Sequence, residues 1–238
     1  MYSLSFTPLA SHCDANRELK LSALMALCEE ASIADTTRLH MGREKTLDKG
    51  ILWVILRMGF KIKRMPQYDE KCKLISYPER SSHGLFPRYY IIKSANNEVL
   101  LEGEAIWTLI DEKTRRPVNA KEYGIHISAR SFVKDFDVPM GVIKMDIDGE
   151  KEYLVCYSDL DLNGHLTNTR YGDILLNLHD ECFYKGHRLS DFVLSFTKEV
   201  KEGETLKLRY GQKGDTLYVK GETIEGEAFE SRLSFVKK

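Results

Sequence analysis

The chain has no CxxC pair, no HExxH segment, no surplus of positive charge and no long apolar run. Its five cysteines, Cys13, Cys28, Cys72, Cys156 and Cys182, are odd in number and widely scattered, which argues against a disulfide framework and against zinc spacing. They read as reduced thiols. Seven histidines are present without ligand spacing, so the expectation is no metal and no organic cofactor. Lys and Arg number 35 against 36 Asp and Glu, a formal net charge of −1, which argues against a general nucleic-acid binder, since phosphate contacts need a basic surplus. No window approaches the roughly 18 uncharged apolar residues that cross a bilayer. The opening MYSLSFTPLASHCDANRELK lacks a basic segment followed by an apolar one. A cytoplasmic protein without a membrane span is expected.

What is present describes an ordinary globular chain. It has 238 residues, 30% of them charged and 42% apolar, enough for one large core or two cores of about 100 residues each. Residues 19 to 41 place Leu21, Leu24, Met25, Leu27, Cys28 and Ala31 at helical spacing, which predicts a mostly buried helix. Residues 51 to 64 then turn to β-branched and aromatic content, and further strands are predicted at 71 to 77, 85 to 94 and 98 to 111, the last two joined by a hairpin through SANNE. After a linker of about residues 114 to 145 the order recurs. A second helix is predicted at 167 to 185, with Tyr171, Ile174, Leu175, Leu178 and Cys182 on its apolar face, followed by strands at 191 to 200, 204 to 211, 215 to 223 and 228 to 236. Asp14, Asn16 and Leu19 in DANREL repeat the spacing of Asp161, Asn163 and Leu166 in DLNGHL, so the two halves read as a duplication. LEGEA at 101 to 105 and IEGEA at 224 to 228 fall at different places in the pattern, and their likeness is chance.

Residues 158 to 171, SDLDLNGHLTNTRY, carry the chemistry. Extended alternation would put Asp161, Asn163 and His165 on one face, next to a helix start whose free N–H groups stabilise negative charge, with Thr167 or Asn168 as the cap. An acid, an amide and an imidazole together can orient water and a carbonyl. The plainer alternative is a strand-to-helix turn, since Asp, Asn and Gly are ordinary turn residues. Only the second copy combines the three, because the first has Arg17 and Glu18 where the second has Gly164 and His165. Two short basic segments, Lys61, Lys63 and Arg64 before Pro66 and Lys113, Arg115 and Arg116 before Pro117, are either solvated strand ends or a patch for an acidic partner.

Three segments in order, ILWVILRM at 51 to 58 with RMP at 64 to 66, AIWTLIDEKTRRPV at 105 to 118 and SDLDLNGHLTNTRY, resemble the acyl-acyl carrier protein thioesterases of bacteria and plant plastids over nearly the whole chain. The resemblance implies an α+β tandem hotdog, each half a long helix wrapped by an antiparallel sheet, with an N-terminal domain at 1 to 130 holding the acyl pocket and a C-terminal domain at 131 to 238 holding the catalytic residues. It implies that Asn163 and His165 are catalytic and that Asp161 belongs to their network. Glu199, 34 residues beyond His165 on the strand after the second helix, stands where the family has a further acid. The next position, a cysteine in many plant members, is Val200 here, so a thiolate mechanism there is excluded. The implied reaction is hydrolysis of a fatty acyl thioester on acyl carrier protein by an activated water. Glu199 is the better choice of base, its division of labour with Asp161 left open. Trp53, Leu56 and Met58 are candidates for the acyl pocket, and Arg64, Arg115 and Arg116 for docking the acidic carrier. A tandem chain pairs its sheets internally and can still form a homodimer.

Two other functions fit a hotdog chain. Hydratases and dehydratases carry Asp and His five apart in DxNPxH, whereas here they are four apart with Gly164 in place of Pro. A non-catalytic acyl sensor fused to a DNA-binding module would need a helix-turn-helix segment, and none precedes residue 20.

Overall fold

In the computed structural model, residues 1–127, 134–139 and 146–238 are described. The first half runs β1 (Tyr2–Phe6), α1 (Leu21–Arg38), β2 (Ile51–Ile62), β3 (Cys72–Pro78), β4 (Phe86–Ser94) and β5 (Val99–Asp111). The second runs β6 (Gly149–Leu154), α2 (Arg170–Leu176), α3 (Glu181–Gly186), β7 (His187–Phe196), β8 (Thr205–Lys213), β9 (Thr216–Thr223) and β10 (Gly226–Lys237). The strands form one antiparallel sheet of order β1-β3-β4-β5-β2-β7-β10-β9-β8-β6. Read outward from its centre in either direction, that order is the same, each half contributing its first post-helical strand to the junction. There β2 pairs with β7 from Arg57↔Ser195 to Lys61↔Asp191.

The helices supply the other layer. Leu21, Leu24, Met25, Cys28 and Ala31 of α1 are buried in the same core as Met58 and Phe60 of β2, Tyr171 and Leu175 of α2, and Phe192 of β7. Helices from both halves on one antiparallel sheet, α1 from the first and α2 and α3 from the second, make the expected α+β tandem hotdog. The helices also meet each other. Gly172 of α2 lies so close to α1 that an added Cβ would stand 2.8 Å from the Ser22 nitrogen, which is why a residue without a side chain occupies that position. On the outer side, residues 134–139 cross the junction: Lys134 pairs with Glu79 and Glu104, and Val138, packed on Ile106 and Val193, gives its N–H to Glu104 at 2.7 Å.

Several expectations need correction. The second helix does not run from 167 to 185 but breaks after Leu176. The Asp180 side chain accepts the N–H of Phe183 at 2.9 Å and so caps a new helix, and Cys182 is exposed and not on an apolar face. Apolar spacing carried on across the break and hid it. The short edge strands β1 and β6 were not anticipated, and β6, largely exposed, has too little apolar periodicity to show. Strand β7 starts at His187 and ends at Phe196, which leaves Glu199 in the following loop. The expected boundary at 130/131 and part of the expected linker lie outside the described residues.

One polar group sits deep in the first half. Asp35 of α1 is fully buried and accepts from Arg88 at 2.8 Å and from Arg38 at 2.6 Å, while Arg88 also donates to Ser76 at 2.8 Å. Burial by itself would raise the Asp35 carboxyl, but the hydrogen bonds from Arg88 and Arg38 outweigh it and hold the group below the usual aspartate range.

Candidate active site

Residues 161 to 165 form a turn and not an extended run, so the predicted alternation is replaced by a different device. One oxygen of Asp161 accepts the backbone N–H of Asn163 at 2.8 Å and of His165 at 3.1 Å, and the other accepts the Asn163 side-chain amide at 3.3 Å. Backbone bonds from Asp161 N–H to the His165 carbonyl at 2.8 Å and from Gly164 N–H to the Asp161 carbonyl at 3.1 Å close the loop. Gly164 has φ +78°, a left-handed conformation that glycine adopts without strain. The helix begins later than expected, with Thr169 at the cap position and no side-chain cap.

Packing against the second loop brings in Glu199. Leu166 N–H donates to the Val200 carbonyl at 2.7 Å and His165 bridges Lys201, so residue 199 is delivered next to the imidazole. His165 Nε2 lies 3.3 Å from Glu199 Oε2. The other Glu199 oxygen pairs with Arg115, which reaches in from the loop after β5. Burial is the largest influence on His165 and lowers its pKa below the ordinary value; Asp161 opposes this, Arg115 and Lys201 add to it, and Glu204 opposes it. At neutral pH the imidazole is therefore uncharged, able to accept as well as donate. Asp161, Asn163 and His165, Glu199, and Arg115 are thus brought together by three separate segments.

Beneath the loop lies support that the sequence reading missed. Asp159, buried, accepts from Tyr153 Oη at 2.9 Å, from the Cys156 N–H at 3.0 Å and from Arg170 Nε at 2.9 Å. Arg170 continues to Asp173 at 3.0 Å, and Asp173 accepts from Ser22 of α1 at 2.6 Å. The site loop is thereby tied to both helices. An Asp two positions before Asp161 in SDLD was the available signal.

The other sequence candidates are dispersed. Met58 is in the main core, Trp53 packs edge-on against Phe86 at 4.9 Å in a second cluster, and Leu56 occupies the bulge of β2 between Ile55 and Arg57. Arg64 is committed to Glu70 at 2.8 Å and Glu98 at 3.1 Å, and Arg115 to Glu199, while Arg116 is exposed. No described helix is long and apolar enough to cross a membrane. Among the described residues no group of His, Cys, Asp and Glu is arranged to hold a metal.

Comparison with known proteins agrees over almost the whole chain. Residues 1–125 match the family model for the acyl-ACP thioesterase N-terminal domain, and residues 144–228 that for the acyl-ACP thioesterase C-terminal domain. A palmitoyl-acyl carrier protein thioesterase of Gossypium hirsutum is 23% identical over 171 residues, covering 67% of this chain and 41% of that protein. Its counterpart from Cuphea hookeriana is 21% identical over 214 residues, covering 84% and 52%. The chain spans about half the length of the curated relatives it matches. Among solved structures, an acyl-ACP thioesterase from Bacteroides thetaiotaomicron superposes with a TM-score of 0.87 at 18% identity, covering 98% of this chain and 97% of that one. The 12:0-ACP thioesterase of Umbellularia californica gives 0.84 at 17%, covering 100% and 97%.

Proposed function

The chain belongs to the acyl-ACP thioesterase family, and we propose that it hydrolyses fatty acyl groups from acyl carrier protein at the site built by Asn163, His165 and Glu199. The observation that carries this reading is the 3.3 Å approach of Glu199 to an uncharged, half-buried imidazole. Water held beside this pair gives its proton to Glu199, with His165 as relay, while its oxygen attacks the thioester carbon. The Asn163 amide has one N–H committed to Asp161 and a second for the developing oxyanion. Collapse of the adduct breaks the C–S bond and releases the pantetheine arm.

Three donors already occupy the Asp161 carboxylate, which favours Glu199 as base and gives Asp161 the task of shaping the loop. Among the three arginines considered for carrier docking, Arg116 has its charge exposed, on the same loop as Arg115 and hence at the edge of the site. It is the favoured contact for the acidic carrier. We retain an N-terminal acyl-binding domain over 1 to 130 and a C-terminal catalytic domain over 131 to 238, with the acyl tail against α1 and β2. Five cysteines, all unpaired, suit a reducing cytoplasm.

The test is release of free thiol from acyl carrier protein loaded with acyl groups of varied length. Release with the native chain, falling at least about 10²-fold in His165→Ala and Asn163→Ala, is expected. An unsaturated product without thiol release would replace hydrolysis with dehydration. Full activity in both variants would remove the site.

A further inference from the structure

The two copies of the loop share their backbone hydrogen bonds, while the Asn16 side-chain amide donates to the Tyr184 carbonyl where that of Asn163 donates to Asp161. Asp14 accepts the N–H of Asn16 and of Glu18 at 2.9 Å, as Asp161 accepts those of Asn163 and His165. Leu19 N–H donates to the Pro66 carbonyl at 2.8 Å, as Leu166 donates to Val200 at 2.7 Å. Glu18 bridges Gln67 as His165 bridges Lys201, which makes Met65 the counterpart of Glu199. The offset of 147 that takes Asp14 to Asp161 also takes Glu29 of α1 to Leu176 of α2, with burial matching along the way at Leu24/Tyr171, Met25/Gly172 and Cys28/Leu175.

That correspondence locates Glu29. In the first copy, Leu176 reaches across from the other half's helix into a cavity of about 280 Å³ that it lines with Asp14, Asn16, Glu18 and Met65. By the same geometry Glu29 belongs to the wall opposite Asp161, Asn163, His165 and Glu199. Its own helix agrees, because Glu29 lies seven residues after Ser22, two turns along the face that touches Asp173 of α2. The Glu29 carboxyl makes no hydrogen bond or ion pair among the described residues, yet it is close enough to feel Asp161. Between the copies, the carboxylates on the two walls of the cleft, Glu199 and Glu29, are replaced by apolar Met65 and Leu176.

We propose that Glu29, supplied by the first half's helix, is the general acid of the second half's site and protonates the sulfur of the departing thiol. This rests on the thioesterase reading above. The water oxygen bonds to the carbonyl carbon and the C–S bond breaks; the water proton goes to Glu199 and the Glu29 proton to sulfur. Solvent then carries the proton from Glu199 back to Glu29, so the cycle closes. Such a role needs a carboxyl still protonated near neutrality. Burial, with the charges of Glu30 on α1 and Asp161 on the site loop, pushes Glu29 up to about 7, while Glu199 shares its charge with Arg115. His165 is faced by Asp161, Arg115, Lys201, Glu204 and Glu199, so its titration sets the acid limb and that of Glu29 the alkaline one.

The experiment compares two thioesters of one fatty acid in the native chain, Glu29→Gln and Glu29→Asp: an alkyl thioester of pantetheine, and an aryl thioester whose thiolate leaves without a proton. Glu29→Gln is expected to lose about 10²-fold in kcat on the alkyl substrate, with KM little changed, and to stay within about threefold on the aryl one. The alkaline fall of the native profile above pH about 7 disappears with it. Glu29→Asp keeps an acid and recovers part of the alkyl rate. Equal losses on both substrates, or no loss on either, overturn the proposal and leave the thioesterase reading standing. Absence of thiol release from every thioester by the native chain overturns both.

Discussion

The Asp161 carboxylate meets two backbone N–H groups and one side-chain amide, while Glu199 meets an imidazole and a guanidinium. These environments distinguish the two acids: Asp161 holds the loop, and Glu199 is the proton acceptor of the proposed mechanism. Asp161→Asn keeps one accepting oxygen for the loop and is expected to retain more activity than Asp161→Ala, which leaves the N–H groups of Asn163 and His165 without their acceptor. Comparing kcat for the two variants checks this. Arg115 contributes to keeping His165 uncharged, so the sign of its effect is fixed. In Arg115→Ala the imidazole holds its proton to higher pH, and the acid limb of kcat/KM moves upward toward the unperturbed histidine value of about 6.5. A pH–rate profile reads it directly, and a limb that moves down contradicts the assignment. At the protein surface, Arg116→Glu is expected to raise KM for carrier-bound substrate and leave hydrolysis of a small pantetheine thioester unchanged. Equal loss on both substrates removes Arg116 from docking.

At the scale of elements, one loop was used twice with different tolerances. Gly164 at φ +78° has Arg17 at φ +63° as its counterpart, so the left-handed position is open to a side chain in the first copy. An added Cβ at Gly164 meets nothing within 4 Å, which makes the cost of Gly164→Ala a backbone cost alone, about 1 kcal/mol. Calorimetry should show a melting temperature about 2–4 °C lower. The sequence showed this loop through its Asp and Asn spacing but misjudged its conformation, because alternation ignores a carboxylate that accepts from the residues two and four ahead. Strands β2 to β5 and β7 to β10 were legible because each buries enough apolar residues to show a pattern. Strand β6, at the sheet edge, was not.

For the whole molecule, the buried Asp35–Arg88 pair lies in the first half, remote in sequence from the polar loop at 161 to 165. Replacing Asp35 by Ala strands a buried guanidinium, with an expected loss of about 3–5 kcal/mol. Because the Asp35 carboxyl is held below its unfolded value, its contribution is complete above pH about 4 and is lost as the pH falls through the folded pKa. Denaturant unfolding of Asp35→Asn against pH should therefore show a shallower acid decline than the native chain. The continuous sheet couples the halves through β2 and β7, and Asp159, Arg170, Asp173 and Ser22 couple them through the helices.

The sequence by itself determined the α+β class, the duplicated order of helix and strands and the polar loop of the second copy. These follow from local periodicity and from residue types at fixed spacing, which are properties of adjacent positions. Only the tertiary structure decided that Glu199 stands on a loop beside His165, that Arg115 joins the site and not only the surface, and that Trp53, Leu56 and Met58 go to different places. Each of these depends on which distant segments the sheet brings side by side, and the spacing along a chain contains no such distance.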